Sequence, residues 1–351
     1  MPYEEGMLRT KALAKINLYL HVTGRRSDGY HLLDSLVAFA DVGDSLTLEP
    51  ARAFSFSLDG PMAGSLKGER DGNNLVVRAA QKLSTALGRS LSFKLSLTKN
   101  LPVASGIGGG SSDAAAALRL MASHWKLAPD APLLYQVARS LGQDVSCCLA
   151  SESCVFQGIG DEMTHAPSLP YTDIVLVNPS VAVPTPEVFK MRKGSFSLPA
   201  EPWEKVPQTA CELADLLGAC RNDLAQPACQ ISPVIDDVLA ALMEQEGVLL
   251  SRMSGSGATC FAFFADRGAA KRAAASLYQQ HPDWSEMAWK AIKNRKIFTG
   301  MDVNMLLMSW GKPLKINKSV GSWGVDEQWV YSSDNYVYLR NGKVRSFQIS
   351  N

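Results

Sequence analysis

The chain has no run of about eighteen apolar residues, which excludes a membrane-spanning helix. Its first residues, MPYEEGMLRTK, carry acidic side chains and lack the apolar core of a secretory signal, so none is expected. It has little net charge: 35 Lys and Arg stand against 34 Asp and Glu, a formal +1. That balance argues against nucleic acid or an anionic membrane as a bulk partner and leaves any polyanion to a local site. The seven cysteines are odd in number and lack CxxC spacing, so reduced thiols in a cytoplasmic protein are expected. Cys147 and Cys148 sit side by side in an apolar run, where packing is the plainer role. What is present, 46% hydrophobic and 20% charged residues, describes a soluble globular protein. At 351 residues it exceeds one ordinary core, and two or three domains are expected.

The chain is organised around LPVASGIGGGSSDAAAALRL, residues 101–120. Glycines at 106, 108, 109 and 110 strip the Cβ atoms from a short loop, so its N–H groups can turn inward on an anion. Ser111, Ser112 and Asp113 supply the chemistry of a helix start, and an alanine-rich helix follows. Free N–H donors at the positive end of a helix make a phosphate cradle. The common NTPase P-loop is excluded, because no Lys-Ser/Thr follows the last glycine. The dinucleotide fingerprint is excluded too, because Ser111 stands where it needs glycine. A flexible Gly/Ser linker is the bland alternative, but linkers do not run straight into an Ala/Leu helix.

From the N-terminus, residues 8–22 alternate: Ala12, Ala14, Ile16, Leu18, Leu20 and Val22 make one apolar face. Lys15 and Asn17 project together from the other, about 7 Å apart. For Lys15 alone a solvated strand face is the plainer reading. Asp28-Gly29 is a turn signal, with Tyr30 and His31 directly after it. That pair suits a planar ligand, or simply packs. Strands over 36–40 and 45–48 should flank a turn at 41–44, with another strand over 54–58. A helix over 75–87 has Asn73-Asn74 to cap it and Gly88 as stop, and a strand over 91–98 delivers the chain to Lys99 and the glycine loop. After a helix over 131–141, Asp144 reads equally as the cap of a short apolar helix or as a functional carboxylate. A turn over 156–160 closes this half. A buried strand over 172–177 follows, then a helix start at Thr185-Pro186 and a loop over 194–208. Helices after 224, over 233–246 and over 271–280 complete the second half, with a glycine turn at Gly255 and Gly257 running into a strand over 259–265.

Five separated segments then agree. Residues 8–295 resemble the GHMP kinase superfamily, and within it the branch that phosphorylates a cytidyl-diphosphate sugar alcohol in non-mevalonate isoprenoid synthesis. AKINLYL (14–20) resembles the first motif, the glycine loop the ATP motif, and SGSGATCF (254–261) the third. DGYH (28–31) and PTPEVF (184–189) point to the cytidyl branch. The resemblance implies an α+β fold of two lobes: an S5-like domain over 1–165 and a ferredoxin-like domain over 166–297. It implies ATP as phosphoryl donor, with Mg²⁺ as nucleotide counter-ion and no protein metal site. Lys15 and Asp144 would be catalytic. ATP would be held by Lys99, Pro102, Val103, Ala104, Ser105, Gly106, Ile107, Gly108, Gly109, Gly110, Ser111 and Ser112. Asn17, Tyr30, His31, Thr185 and Phe189 would bind the substrate. Gln143 and Ser146 depart from the family's usual Ala and Pro beside the aspartate, which bears on tuning. A kinase of another alcohol would leave DGYH and PTPEVF without a purpose. A nucleotide-binding regulatory protein would have no need of both Lys15 and Asp144.

Members of the family end soon after a stretch like residues 289–296, whereas this chain continues. Its tail, 298–351, should form a short helix over 300–310 and three strands over 327–331, 336–339 and 343–347, with Asn341-Gly342 as a hairpin turn. Helix and meander resemble the small domain of outer-membrane-assembly lipoproteins. Trp310, Trp323, Trp329, Tyr331, Tyr336 and Tyr338 are more aromatics than so small a core can bury, so partner binding or self-association is expected there.

Overall fold

Alternating apolar residues do put the N-terminal segment in a sheet, but not as one strand. In the computed structural model, which describes residues 7–66, 73–160, 162–281, 313–321, 324–331 and 335–348, it forms β1 (Leu8–Asn17) and β2 (His21–Arg25). The break has a cause. The Leu20 N–H donates to the Arg221 carbonyl (3.0 Å), and the Asp223 N–H donates back to Leu20 (2.8 Å). Leu18 N–H still donates to the Leu36 carbonyl of the first sheet (2.8 Å), and the backbone at Leu20 turns to bind the second half of the chain. The expectation of one buried face also fails, since Lys15, Asn17, Tyr19 and His21 are all buried.

The turn expected at 41–44 does not form. β3 (His31–Pro50) runs unbroken for 20 residues, paired along both edges. At Val37 those edges hold Asn17 of β1 and Cys154 of β6 (Cys154–Gly158). Asp41 and Val42 are extra residues in a bulge, where the register slips between Leu13 and Ala14. Any side chain at Gly43 would collide with the Ala12 carbonyl, so the strand passes through glycine there. The Asp41-Val42-Gly43-Asp44 stretch serves burial of Asp44, not reversal.

The sheet is completed by β4 (Ser55–Asp59), β5 (Phe93–Thr98) and β7 (Glu162–His165), in the order β4-β5-β3-β6-β7. β6 and β7 form an antiparallel hairpin where a turn alone was expected. The sheet packs on α1 (Leu75–Leu87), α2 (Gly109–His124), α3 (Pro132–Leu141) and α4 (Gln143–Ala150). Asn74 accepts from Val76 N–H (2.9 Å) and Gly88 turns left-handed, so the signals of α1 hold. Ala114, Ala115, Ala116 and Ala117 are all fully buried. Four consecutive positions cover every side of a helix, so α2 is enclosed and methyl groups let its neighbours approach closely.

In the second half, β8 (Asp173–Val177), β10 (Cys260–Phe264) and β9 (Val248–Met253) form an antiparallel sheet in the order β8-β10-β9. Around it lie α5 (Thr185–Met191), α6 (Ala210–Gly218), α7 (Ala225–Ile231), α8 (Val234–Met243) and α9 (Arg267–Gln280). Neither β9 nor α6 was expected. β9 lacks alternation because Arg252 turns inward, donating to the carbonyls of Leu18, Leu217 and Cys220.

The chain divides into two compact units, Met1–Ser285 and Glu286–Asn351. The second contains a four-stranded antiparallel meander: β11 (Lys315–Gly321), β12 (Gly324–Val330), β13 (Tyr336–Arg340) and β14 (Lys343–Gln348). β11 adds a strand to the three expected, and the helix expected over 300–310 lies outside the described residues. Trp329, Val337, Leu339 and Val344 are buried, whereas Leu314, Ile316 and Tyr338 are exposed.

Candidate active site

Just past the point of β1 opposite the β3 bulge come Lys15 and Asn17, whose side chains leave the strand on the same face. Lys15 reaches Asp144 on the first turn of α4, with Nζ 2.8 Å from Oδ2. The side chains are unequally exposed, 7% for the lysine and 37% for the aspartate, so the carboxylate is the member that solvent or a ligand can reach. Burial alone would push the Lys15 ammonium down, but Asp144, with smaller help from Cys148 and Cys147, outweighs it and holds the group above its ordinary value. The N-cap of α4 is Gly142, and no side chain caps it. Asp144 therefore faces the lysine and does not cap its own helix.

The glycine loop lies against this pair. Lys15 N–H donates to the Ile107 carbonyl (3.0 Å), and a Cβ on Gly108 would come within 3.1 Å of the Lys15 Cβ. The helix begins earlier than expected, at Gly109, with Gly108 as left-handed cap. Its first helical bond runs from Ser112 N–H to the Gly108 carbonyl (2.8 Å), so the N–H groups of Gly109, Gly110 and Ser111 precede it. Those three donors and the helix dipole make the anion end of the site. Val103 and Ala104 are exposed at the loop tip, while Pro102, Ser105 and Ile107 are buried, with Ser105 Oγ donating to the Pro102 carbonyl (2.8 Å). Ser112 Oγ donates to the Leu13 carbonyl (2.7 Å), fastening α2 to β1.

Residues 254–257 close on the same loop from the second sheet. Gly106 has φ of +75°, and a Cβ there would stand 2.5 Å from the Ser254 carbonyl oxygen and 2.7 Å from that of Gly257. Only glycine permits that approach. Ser254 Oγ donates to the Gly106 carbonyl (3.0 Å) and accepts from the Asn17 N–H (3.1 Å). Ser256 Oγ is 2.7 Å from Thr185 Oγ1. One short segment therefore ties Asn17, Gly106 and Thr185 together, a bracing role that sequence reading missed although the motif was recognised. Asn17 Nδ2 donates to Ser35 Oγ (2.8 Å), and its buried Oδ1 has no protein partner.

Phe189 follows Thr185 by one turn of α5 and stacks on His31, with centroids 4.9 Å apart and planes 25° from parallel. Tyr30 stands 60% exposed beside them, away from the face-to-face arrangement with Phe189. Burial first, then the positive charges of Arg25 and Arg192, lower the His31 pKa. A neutral ring with one donor and one acceptor nitrogen results. Lys99 lies elsewhere than expected for a group on a nucleotide. Its buried Nζ donates to Asp44 and to Asp113 (2.7 Å for the latter), beneath the loop. Asp44 also accepts from the N–H groups of Asn100 (2.5 Å) and Leu101 (2.7 Å). Asp113, expected at a helix cap, is thus a buried partner of Lys99. Neither aspartate was singled out for this, because their polar neighbours resemble turn chemistry.

Residues 74–152 match the family model for the GHMP kinases N terminal domain, and residues 210–283 that for the GHMP kinases C terminal. The chain is 50% identical over 274 residues to a 4-diphosphocytidyl-2-C-methyl-D-erythritol kinase of Paramagnetospirillum magneticum, covering 78% of this chain and 95% of that one. It is also 50% identical over 274 residues to the kinase of that name from Rhodospirillum rubrum, covering 78% and 89%. A crystal structure of a 4-(cytidine 5'-diphospho)-2C-methyl-D-erythritol kinase matches with a TM-score of 0.64 at 30% identity, over 78% of this chain and 96% of that one. A homoserine kinase from Cytophaga hutchinsonii matches at 0.56 and 15% identity, over 80% and 92%, which speaks to the fold alone.

Proposed function

The chain belongs to the GHMP kinases and, within them, to the 4-diphosphocytidyl-2-C-methyl-D-erythritol kinase family, and from that premise we propose how its residues phosphorylate the 2-hydroxyl of that cytidyl alcohol with ATP, in non-mevalonate isoprenoid synthesis. The observation that carries the assignment of roles is the Lys15–Asp144 pair beside a helix start with three free N–H donors. Phosphoryl transfer asks mainly for positioning and charge stabilisation. The Gly109, Gly110 and Ser111 amides hold the ATP phosphates, with loop residues 102–108 shaping the approach. Asp144 accepts the proton of the attacking hydroxyl. Lys15 orients that carboxylate and offsets charge as it moves between oxygens. Lys99 serves the nucleotide end as the buried anchor of the loop. Among the described residues no cluster of three His, Cys, Asp or Glu side chains could hold a metal. Mg²⁺ would enter as the nucleotide's counter-ion, beside the half-buried Ser111 and the buried Ser112, and would neutralise phosphate charge.

Substrate binding follows from the second cluster. Asn17 offers its unpartnered Oδ1, and Thr185 its hydroxyl, to the sugar alcohol. Phe189 and Tyr30 stack the cytosine, and neutral His31 reads its edge. Replacing Phe189 or Tyr30 by Ala should cost about 1–3 kcal/mol of cytidyl-substrate binding and leave ATP binding unchanged. Calorimetric titration of both ligands checks this; equal losses for the two would remove the cytosine assignment. ATP consumption by the purified protein against cytidyl and non-cytidyl alcohols tests the reading as a whole. Turnover of a non-cytidyl alcohol alone would mean another GHMP kinase.

The functional divisions follow as 1–165, 166–297 and an accessory tail, 298–351, in a cytoplasmic enzyme. The tail carries partner binding or self-association through exposed Leu314, Ile316 and Tyr338. The family models match nothing beyond residue 283, and the tail forms part of a separate compact unit. A chain ending at Lys296 should phosphorylate the cytidyl substrate at near full-length rates. Comparing turnover and mass in solution for the two lengths checks it, and a folded, ATP-binding but inactive short chain would make the tail part of the active site.

A further inference from the structure

α4 carries Asp144 in its first turn, and one turn later it carries Cys147. Cys147 faces Cys154 at the start of β6, with Sγ atoms 3.2 Å apart. Both side chains are free and buried in a small apolar cluster with Val37 and Phe156. The pair is therefore preassembled: bridging requires the sulfurs to close to about 2.05 Å, an approach of roughly 1 Å. We propose that Cys147 and Cys154 form a reversible disulfide under peroxide, and that its closure draws α4 and β6 together and shifts Asp144 relative to Lys15.

The two sulfurs are chemically unequal in the direction this needs. Either thiol can donate across the 3.2 Å contact; with Cys147 donating, that bond and burial push its pKa well up, while the same bond and nearby Lys15 lower that of Cys154 against the opposing effect of burial. Cys154 is also the more accessible, at 9% against 1%. Its thiolate attacks a peroxide oxygen; the O–O bond breaks, and a sulfenic acid and water form. Cys147 then attacks that sulfur as its proton leaves, the S–O bond breaks, and the hydroxyl departs as a second water. Two thiols are oxidised by two electrons and one peroxide is reduced to two waters. The effect on turnover rests on the assignment of Asp144 as base, since Asp144 and Cys147 are three residues apart on one helix face. A displacement of about 1 Å in such a group can cost up to 10²-fold.

The test is treatment of the full chain with hydrogen peroxide, followed by peptide mapping without reductant and by kinetics. A Cys147–Cys154 linked peptide is expected, with kcat down about tenfold or more, KM for ATP little changed, and recovery on adding dithiothreitol. Cys154→Ser should keep basal turnover and resist peroxide. Asp144→Asn, examined for the linkage alone, should form it as wild type does, which separates the thiol chemistry from the kinase reading. The inference is overturned by absence of the linked peptide, by a linked protein of full turnover, or by a peroxide loss that Cys154→Ser shares and that maps to exposed Cys211.

Discussion

Asp144→Asn should lower kcat by about 10²–10⁴-fold, the usual worth of a positioned general base, while ATP binds as before. The change is nearly isosteric, and the amide still accepts a hydrogen bond from Lys15 Nζ, now 2.8 Å from Oδ2. What it removes is the capacity to take a proton. The glycine-loop amides are untouched, so the loss should appear in kcat and not in nucleotide affinity. Fold stability should change little, because Gly142 is the N-cap of α4 and the carboxylate is partly exposed. The partner's charge is secure across the working range. Lys15 is held above its ordinary value of 10.5, so the pairing contributes fully below that pH and is lost only as pH rises through the raised value. The alkaline limb of the rate profile near neutrality therefore does not report Lys15. Steady-state kinetics with saturating ATP decide the matter: undiminished turnover in Asp144→Asn would show that the carboxylate is not the base.

Local signals carried the parts of the fold whose chemistry is local. Asn74 and Gly88 bound α1 because a cap and a left-handed stop need only neighbours in sequence. The glycine loop was legible for the same reason. Failures came where a distant partner overrode the local pattern. Alternation over residues 8–22 looked like one strand, but the backbone of residue 20 belongs to Arg221 and Asp223. Asp41 to Asp44 looked like a turn, but Lys99 and two backbone amides draw Asp44 inward and the strand continues. Within the candidate site, Lys15, Asn17 and Asp144 were named from motifs, and pairing across 129 positions of sequence is what local patterns cannot reveal. Ser35 was not singled out, and Ser254 and Ser256 stood only as members of a motif, with no role of their own. A serine that braces a loop through its hydroxyl has the same sequence signature as a serine on a surface.

Lys99→Met should destabilise the protein by about 3–5 kcal/mol, the cost of stripping the counter-charge from buried carboxylates. Lys99 is 2% exposed and Asp44 and Asp113 are equally enclosed, so water cannot replace the ammonium. Removing it also frees Asp44 from the register that holds Asn100 and Leu101, the approach to the glycine loop. ATP affinity should therefore fall together with stability. Asp113→Asn should behave differently. Burial first, with Asp44 adding and Lys99 opposing, pushes the Asp113 carboxyl up to about 8. Its folded-state pKa lies above the unfolded value of about 4, so the native state holds this proton more tightly. The associated stability is full below about pH 4 and drains away as pH rises to about 8. The amide has no such dependence, so Asp113→Asn should gain on wild type between pH 5 and pH 8. Urea unfolding of all three proteins at both pH values, with ATP titrations alongside, separates two roles for the lysine. A Lys99→Met protein as stable as wild type but weak for ATP would place the ammonium on the nucleotide and not under the loop.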